Sequence, residues 1–439
     1  MYMNVCVLGL WHQGSVTAAC LAEMGHHVMG CDFDEAVIDA LKQGHAPIAE
    51  PGLDELIQKH IEHKELNFTA DLQTALKNID VLWVAYDTPV DDDDNADVEF
   101  VTTRIEQALK IVPENTLVII SSQLPVGTTT RLMQNNERKN IYFAYSPENL
   151  RLGQAIQVFL QPDRFVVGVN DPLAKEKAHT LFYPLRCSIE WMSIASAEMT
   201  KHALNAFLAA SVTFANEIAQ LCEQLGADAK EVERGLKSDI RIGKRAYLSP
   251  GAAFAGGTLA RDVQFLNGLS KTVLKKELPV LQGIFKSNQL HQHWHMNTLQ
   301  RVLGSDLSAC TIAIWGLTYK PGTDTLRRST AVQLCKALAE KGVRIQTHDP
   351  VVSNLPADLQ DKVTHFESPL DALKGAQALL VMTPWPLYRT MTVNDVVIPH
   401  SNLIVIDSSR VLSTEFMTEK NIRYFSVGTA TGADKWHLL

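Results

Sequence analysis

Two hydrophobic patterns alternate along this chain. Short apolar runs end in glycine or polar turn residues, and longer segments repeat their apolar positions every three or four residues. The first short run, NVCVLGL at 4–10, breaks into Gly9-Leu-Trp-His-Gln-Gly14, continues as a helical pattern through Glu23, and gives way to a second run, HVMGCDFDE. Similar runs stand at 81–89, 116–128, 141–150 and 164–169, with helical patterns between several of them. That alternation predicts a mainly parallel sheet whose ligands lie at the carboxyl ends of its strands. From Thr311 the pattern begins again with TIAIWGLTYKPGTD, a helix in STAVQLCKALAEKG, then RIQTHDP, ALLVMT and LIVIDSS. VCVLGLWH and IAIWGLTYK echo each other, each running from an apolar strand into a glycine turn.

Between the halves, 196–226 reads as one long amphipathic helix. Leu204, Phe207, Leu208, Phe214, Ile218, Leu221 and Leu225 fall at three-to-four spacing. Ser196 is placed to cap it with Glu198 in the first turn, Gly226 to end it, and Asp228 with Glu231 to open the next helix. At roughly 1.5 Å per residue it spans about 45 Å, more than a small domain needs. The expected fold is α/β, with two Rossmann-like doubly wound domains joined by this long central helix and a helical middle domain. The boundaries fall at 1–190, 191–300 and 301–439.

Composition narrows the class. A chain of 439 residues, 46% hydrophobic and 20% charged, suits two or three globular domains, and no apolar run reaches the length of a membrane span. The first apolar run has no basic region before it and enters a glycine turn, so it reads as a strand and not as a signal peptide. The 7 cysteines are scattered without a CxxC pair, which points to a reduced, cytoplasmic protein. A net charge of −9 argues against nucleic acid as a partner. An anionic ligand has to be met by local basic residues.

Candidate chemistry begins at the first turn. Strand, glycine turn, helix, strand and then Asp32 is the dinucleotide-binding order. Gly9, Gly14 and the helix N-terminus hold pyrophosphate, and Asp32 takes the ribose hydroxyls, which favours NAD over NADP. Trp11 departs from it, standing where the second glycine is expected; the turn taken alone also fits a purely structural βαβ unit. Asp87-Thr88-Pro89, Gln123 and Pro147-Glu148 lie at strand ends, and each by itself reads as turn chemistry. Lys201 and Asn205 lie one turn apart on the long helix, where such a pair alone describes a solvated polar stripe. The Gly- and Pro-rich block with Asp239, Arg241, Gly243, Tyr247, Gly251, Gly256, Thr258, Arg261 and Asp262 fits either a packed interhelical loop or a loop shaped to approach a ligand. The acidic run 91–94 lacks metal-ligand spacing, and His291, His293 and His295 read as surface histidines, so no metal is expected. Lys320 follows the first strand of the second half, where a phosphate would be held, although alone it could equally be a solvent-exposed lysine.

These blocks, from about residue 3 to about residue 430, resemble the UDP-glucose/GDP-mannose dehydrogenase family. The pieces that carry the resemblance are GLWHQG with Asp32, Glu50-Pro-Gly-Leu53, DTP, LPVGTT, YSPENLR, FLQPDR, AEMTKHALNAF, NEIAQLCEQLGAD, DIRIG, AFAGGTLARD and GLTYKPGTDTLRRS. The resemblance implies a Rossmann NAD domain, a helical middle that forms a homodimer, and a C-terminal domain that binds the nucleotide of a UDP-sugar. It implies oxidation of a sugar hydroxyl, with Lys201 and Asn205 steadying the oxyanion, Asp262 assisting hydrolysis and Glu148 matching the glutamate of the PE motif. It puts cofactor contacts at Gly9, Trp11, Gly14, Asp32, Thr88, Gln123 and Arg328, and substrate contacts at Glu148, Arg241, Tyr247, Gly256 and Lys320. Arg241 resembles an arginine that reaches the partner subunit's substrate.

The family pattern departs at the nucleophile. AFAGGTLARD has Thr258 where the family carries the cysteine that captures the aldehyde, Gln123 replaces a threonine, and Leu152 replaces an acid. A thiol is partly thiolate near neutral pH, whereas a threonine hydroxyl needs an adjacent base. Hence the expected function is an NAD-dependent nucleotide-sugar dehydrogenase resembling UDP-glucose 6-dehydrogenase, whose reaction either stops after one hydride transfer or goes on to the acid through an aldehyde hydrate with water held by Asp262. The alternative is a catalytically degenerate nucleotide-sugar-binding protein. A β-hydroxyacid dehydrogenase shares the K-x-x-x-N helix, but the second α/β half and the DIRIG and AFAGGTLARD blocks argue against it.

Overall fold

The computed structural model describes residues 2–89, 96–255, 258–397 and 402–429. The acidic run 91–94 and Gly256 lie outside them. The chain forms two compact units, Met1–Leu204 and Asn205–Leu439.

The first unit is built on eight strands: β1 (Asn4–Leu8), β2 (His27–Cys31), β3 (Leu66–Thr69), β4 (Val81–Val84), β5 (Leu117–Ile120), β6 (Tyr142–Tyr145), β7 (Phe165–Val169) and β8 (Ile189–Met192). Their order is β3-β2-β1-β4-β5-β6-β7-β8. Neighbours run parallel except β6 and β7, which pair antiparallel through Ala144 with Val169 and Tyr145 with Gly168. β4 and β5 are buried along their whole length because both faces of the sheet are covered. Side chains alternate between two cores: Val5, Val7, Val81, Trp83, Leu117 and Ile119 enter one. Cys6, Leu8, Leu82, Val84, Val118 and Ile120 enter the other. The strand order steps from β1 through β2 to β3 on one side and from β4 onward on the other, so the sheet's winding switches between β1 and β4, which opens the crevice where this topology takes ligands.

The second unit repeats the plan with β9 (Thr311–Trp315), β10 (Arg344–His348), β11 (Val363–His365), β12 (Ala378–Val381), β13 (Leu403–Asp407) and β14 (Ile422–Phe425). The order is β11-β10-β9-β12-β13-β14, parallel throughout. Helices Ala229–Ser238, Thr258–Val273, Pro279–Gln292 and Trp294–Leu303 precede the sheet.

The long helix runs Ile194–Leu225, two residues earlier at its start than the sequence pattern suggests. Ser196 is therefore inside it, and Ser193 Oγ accepts the Ser196 amide at 3.2 Å, so Ser193 takes the capping place. Gly226 ends the helix at φ +78°. Asp228 then caps Ala229–Ser238 through the Lys230 amide at 2.7 Å.

The helix buries the face that its hydrophobic pattern would leave out. Glu198, Lys201, His202, Asn205, Ala206, Ala209, Asn216 and Ala219 are buried, while Phe207 is 69%, Phe214 49%, Leu221 57% and Leu225 71% exposed. Small side chains let neighbouring elements approach one face closely, and buried polar heads there find partners. The large apolar side chains are left for something else to cover.

Candidate active site

Gly9 follows β1 at φ +93°, and a Cβ there would lie 2.9 Å from the Tyr86 amide nitrogen, so only glycine passes this point without strain. The chain then enters the helix His12–Glu23, whose N-cap Trp11 makes no side-chain capping bond and whose first turn has no acid. Gly14 packs so tightly against the turn that a Cβ would stand 1.7 Å from the Gly9 carbonyl oxygen. The result is a helix N-terminus whose amides no side chain caps, the arrangement that receives a phosphate anion. Asp32, just past β2, accepts the Leu10 amide at 2.7 Å on Oδ2 and the Asp34 amide at 3.1 Å on Oδ1. Beside it lies a cleft of about 700 Å³ lined by Trp11, Asp32, Phe33, Tyr86, Phe100 and Arg104, among others. Trp11 is 48% exposed and forms part of the wall without closing the cleft. Uncapped amides, a glycine pair and an acid beside an aromatic cleft fit an adenine dinucleotide.

Several residues that shape this site had no separate role in the sequence reading. The Arg104 guanidinium lies 3.5 Å from the Phe100 ring centroid, 5.5 Å from that of Tyr86 and 5.7 Å from that of Phe33. Buried Glu50 accepts the Gly153 and Ala155 amides, each at 2.8 Å, and faces His12 Nε2 at 2.9 Å. One carboxylate thus ties the glycine turn to the loop that carries Glu148. Glu198, fully buried, accepts the Gly127 amide at 2.6 Å and the Thr129 amide at 2.9 Å, filling the N-terminus of the helix Thr128–Asn135. Glu50 was visible only as part of a quoted motif and Glu198 only as a first-turn acid; their partners lie 69 to 105 residues away.

Thr88 Oγ1 donates to the Gln123 carbonyl at 2.7 Å, which joins the loops after β4 and β5. Lys201 is buried, and its Nζ donates to the Glu148 carbonyl while standing 3.8 Å from Glu148 Oε2. The Glu148 carboxylate also accepts the Leu150 amide. These contacts lie within the first unit.

The second unit begins one turn further along the same helix. Asn205 Nδ2 donates to the Asp262 carboxylate, and both residues are buried. Thr258 is exposed and opens the helix Thr258–Val273, four residues before Asp262. Arg241 is exposed and pairs with Asp239 through two contacts, 2.6 and 3.0 Å, which keep it protonated to still higher pH. Tyr247 is 58% exposed. Lys320 lies in the turn after β9 with its Nζ 5.5 Å above the Tyr319 ring, and Arg328 ends that loop at φ +57°.

The expectation of three surface histidines holds for His293 alone. His291 Nε2 faces the Gly251 carbonyl at 2.8 Å, and His291 and His295 are both buried. His291 lies in the last turn of the helix that ends at Gln292 and His295 in the first turn of the one that begins at Trp294, so each sits on the buried face of its own helix. Burial pushes the His295 imidazole down to about 3, with His291 adding to the effect.

Comparison with known proteins adds independent findings. Residues 3–186 match the NAD binding domain of the UDP-glucose/GDP-mannose dehydrogenase family, 195–289 its central domain and 313–414 its UDP binding domain. The chain is 31% identical to a UDP-glucose 6-dehydrogenase of Rickettsia typhi, covering 97% of this chain and 100% of that one. It is 32% identical to a UDP-glucose 6-dehydrogenase of Bacillus subtilis, covering 97% and 98%. Among solved structures, a UDP-glucose dehydrogenase from Pyrobaculum islandicum superposes with a TM-score of 0.86 at 28% identity, covering 98% of each chain.

Proposed function

The chain belongs to the UDP-glucose/GDP-mannose dehydrogenase family, and from that premise we propose how its residues divide the work. It is an NAD-dependent oxidoreductase of nucleotide-sugar CH–OH groups, resembling UDP-glucose 6-dehydrogenase. The substrate is a UDP-sugar oxidised at a hydroxyl of the sugar. Lys201 and Asn205 donate to the hydroxyl oxygen as charge develops on it, an effect worth about 10² to 10³ in kcat per donor. Asp262 orients the Asn205 amide, and the Glu148 carbonyl orients the Lys201 ammonium. Gly9, Trp11, Gly14, Asp32, Thr88, Gln123 and Arg328 hold NAD, which when bound takes the hydride, so that one alcohol and one NAD+ yield one carbonyl, one NADH and one proton. Arg241, Tyr247, Gly256 and Lys320 contact the nucleotide-sugar.

The observation that carries this reading is the pairing of two buried polar heads, Lys201 with Glu148 and Asn205 with Asp262, four residues apart on one helix. Buried polar groups are retained at such a cost when they have work to do. Thr258 stands where the nucleophilic cysteine is expected, and its hydroxyl does not form the covalent adduct that the second oxidation requires. The reaction stops at the carbonyl.

Counting NADH formed per UDP-glucose consumed, with the product identified by mass, tests this. One NADH and an aldehyde are expected, and Thr258→Cys should raise the count toward two with a uronic acid as product. Two NADH and an acid from the unaltered protein would overturn the single-transfer reading. We place the protein in the cytoplasm, in keeping with its seven unpaired cysteines. The exposed stripe Phe207, Phe214, Leu221 and Leu225 supports a homodimer, and a monomer mass in sedimentation equilibrium would sink that part. The three-part division at 1–190, 191–300 and 301–439 belongs to the same reading.

A further inference from the structure

At the far end of the helix Leu53–Glu62 from the glycine turn's chemistry, one histidine is held between two carboxylates. His60 Nε2 lies 2.6 Å from Glu23 Oε2 and His60 Nδ1 lies 2.7 Å from Glu65 Oε2. A neutral imidazole carries one N–H, and an ionised carboxylate only accepts, so the two contacts together call for one more cation, either a proton or a metal ion. His63 supplies the third group: its Nδ1 is 3.9 Å from Glu65 Oε2, and the donor atoms of His60, His63 and Glu65 all lie within 4.8 Å of one another.

We propose that His60, His63 and Glu65 bind a borderline divalent transition metal such as Zn²⁺, with Glu23 as the carboxylate behind His60. Two imidazoles and one carboxylate are a zinc-type donor set, ill suited to Mg²⁺ or Ca²⁺. Metal-bound histidines usually donate their other ring nitrogen to a carboxylate, which fixes the tautomer, and Glu23 is in that position. Bonds of about 2.1 Å in a tetrahedron separate the ligand atoms by about 3.4 Å. The His60–Glu65 contact must open by about 0.7 Å and the His63–Glu65 contact close by about 0.5 Å, shifts within reach of side-chain rotation.

The backbone sets the ligands in place beforehand. Lys64 takes φ +61°, and the Glu65 amide donates to the His60 carbonyl at 3.0 Å, which turns Glu65 back beneath the helix end. His63 caps that helix and is exposed on the solvent side, leaving room for a water as fourth ligand. The charged neighbours are Lys59, 2.6 Å from Glu23, with Glu62 and Lys64 on the same turn. Glu23 Oε2 accepts from Lys59 Nζ at 2.6 Å and faces His60 Nε2 at 2.6 Å. The metal takes the place of the proton shared by His60 and Glu65, and binding releases that proton. It joins the end of His12–Glu23, the end of Leu53–Glu62 and the start of edge strand β3.

The test is calorimetric titration of tag-free, EDTA-treated protein with Zn²⁺ in two buffers of different ionisation heat. One saturable site, release of about one proton and a higher melting temperature are expected. Because His60 is buried, its replacement could unfold the chain, so the variants are His63→Ala and Glu65→Gln, each expected to weaken Zn²⁺ at least tenfold and to leave NADH production unchanged. Substituting Co²⁺ should give a visible tetrahedral spectrum that both variants lose. Absence of saturable Zn²⁺ binding, or binding that neither variant weakens, would overturn the proposal and leave a proton in the metal's place.

Discussion

The two sheets carry the same turn built to opposite ends. Gly9 after β1 and Gly316 after β9 sit at φ +93° and +90°, and a Cβ on either would crowd the strand beside it, 2.9 Å from the Tyr86 amide or 2.6 Å from that of Thr383. Each sheet then places an aspartate just past its second strand, Asp32 in one and Asp349 in the other. In the first turn only Leu10 and Trp11 separate Gly9 from the helix, no side chain caps the helix amides, and Asp32 opens onto a cleft of about 700 Å³. In the second a long loop intervenes, and Ser329 caps the helix Thr330–Glu340 through the Ala331 amide at 3.1 Å and the Val332 amide at 3.3 Å. Asp349 is buried, accepting the Leu317 amide at 2.7 Å, the Thr318 amide at 3.1 Å and Trp385 Nε1 at 3.2 Å. Shared topology therefore does not carry a shared phosphate site. A phosphate at the second turn has to be met by side chains of the 317–329 loop, where Lys320, Arg327 and Arg328 lie.

The sharpest way to break this comparison is to remove each aspartate. Asp349→Ala orphans two buried amides and should cost about 3 kcal/mol, seen as a melting temperature lower by about 10 °C. Asp32→Ala also frees two amides, those of Leu10 and Asp34, but at a half-buried place where water can replace the carboxylate, so the melting temperature should fall by no more than about 4 °C while KM for NAD rises about 10- to 100-fold. Equal melting losses in both variants would show that the two turns are built alike.

Acid separates the turns by a smaller margin. The residues before the two aspartates are Cys31, which burial pushes up to about 12, and His348, which burial pushes down. His291 and His295 add two more depressed histidines to the second unit, against His26 in the first. A histidine whose folded pKa lies below its unfolded value of about 6.5 leaves the unfolded chain binding more protons, so stability falls as pH drops below about 6.5. For His295 the loss continues toward its folded value of about 3, at roughly 1.4 kcal/mol per pH unit. His295→Gln should flatten the melting temperature between pH 7 and 5, and an unchanged slope would remove His295 from the account.

What could be read from the sequence follows range. β1, its glycine turn, the following helix and Asp32 are local features, whereas the unbroken apolar run of β1 did not tell that Val5 and Val7 enter one core and Cys6 and Leu8 the other. Glu50 and Glu198 were opaque because their partners are distant amides, and no periodicity marks a carboxylate that caps another segment's helix. The spine misled in a different way. Its large apolar residues have the spacing of a buried face, yet the chain buries alanines, Lys201, Asn205 and Asn216 instead. Amphipathicity tells that two faces differ; which one the same chain covers depends on partners beyond the segment.

Trp11 gives the gentlest test, because the comparison assigns it to the wall of an open site. Glycine at that position would let a pyrophosphate approach the backbone closely, while the indole offers a flat apolar surface 48% exposed beside Phe33 and Tyr86. If the ring obstructs, Trp11→Gly should tighten NAD two- to fivefold, since a close amide contact contributes about 0.5 to 1 kcal/mol. If the ring instead packs on the dinucleotide, the same change removes its contact area and NAD weakens by a similar factor. The cleft stays open with the indole in its wall beside Phe33 and Tyr86, which favours the second outcome and agrees with Trp11 as one of the residues that hold NAD. Fluorescence quenching of the other tryptophans or calorimetry with NAD reads the sign directly, and weaker binding would make Trp11 a cofactor platform standing in for the missing glycine.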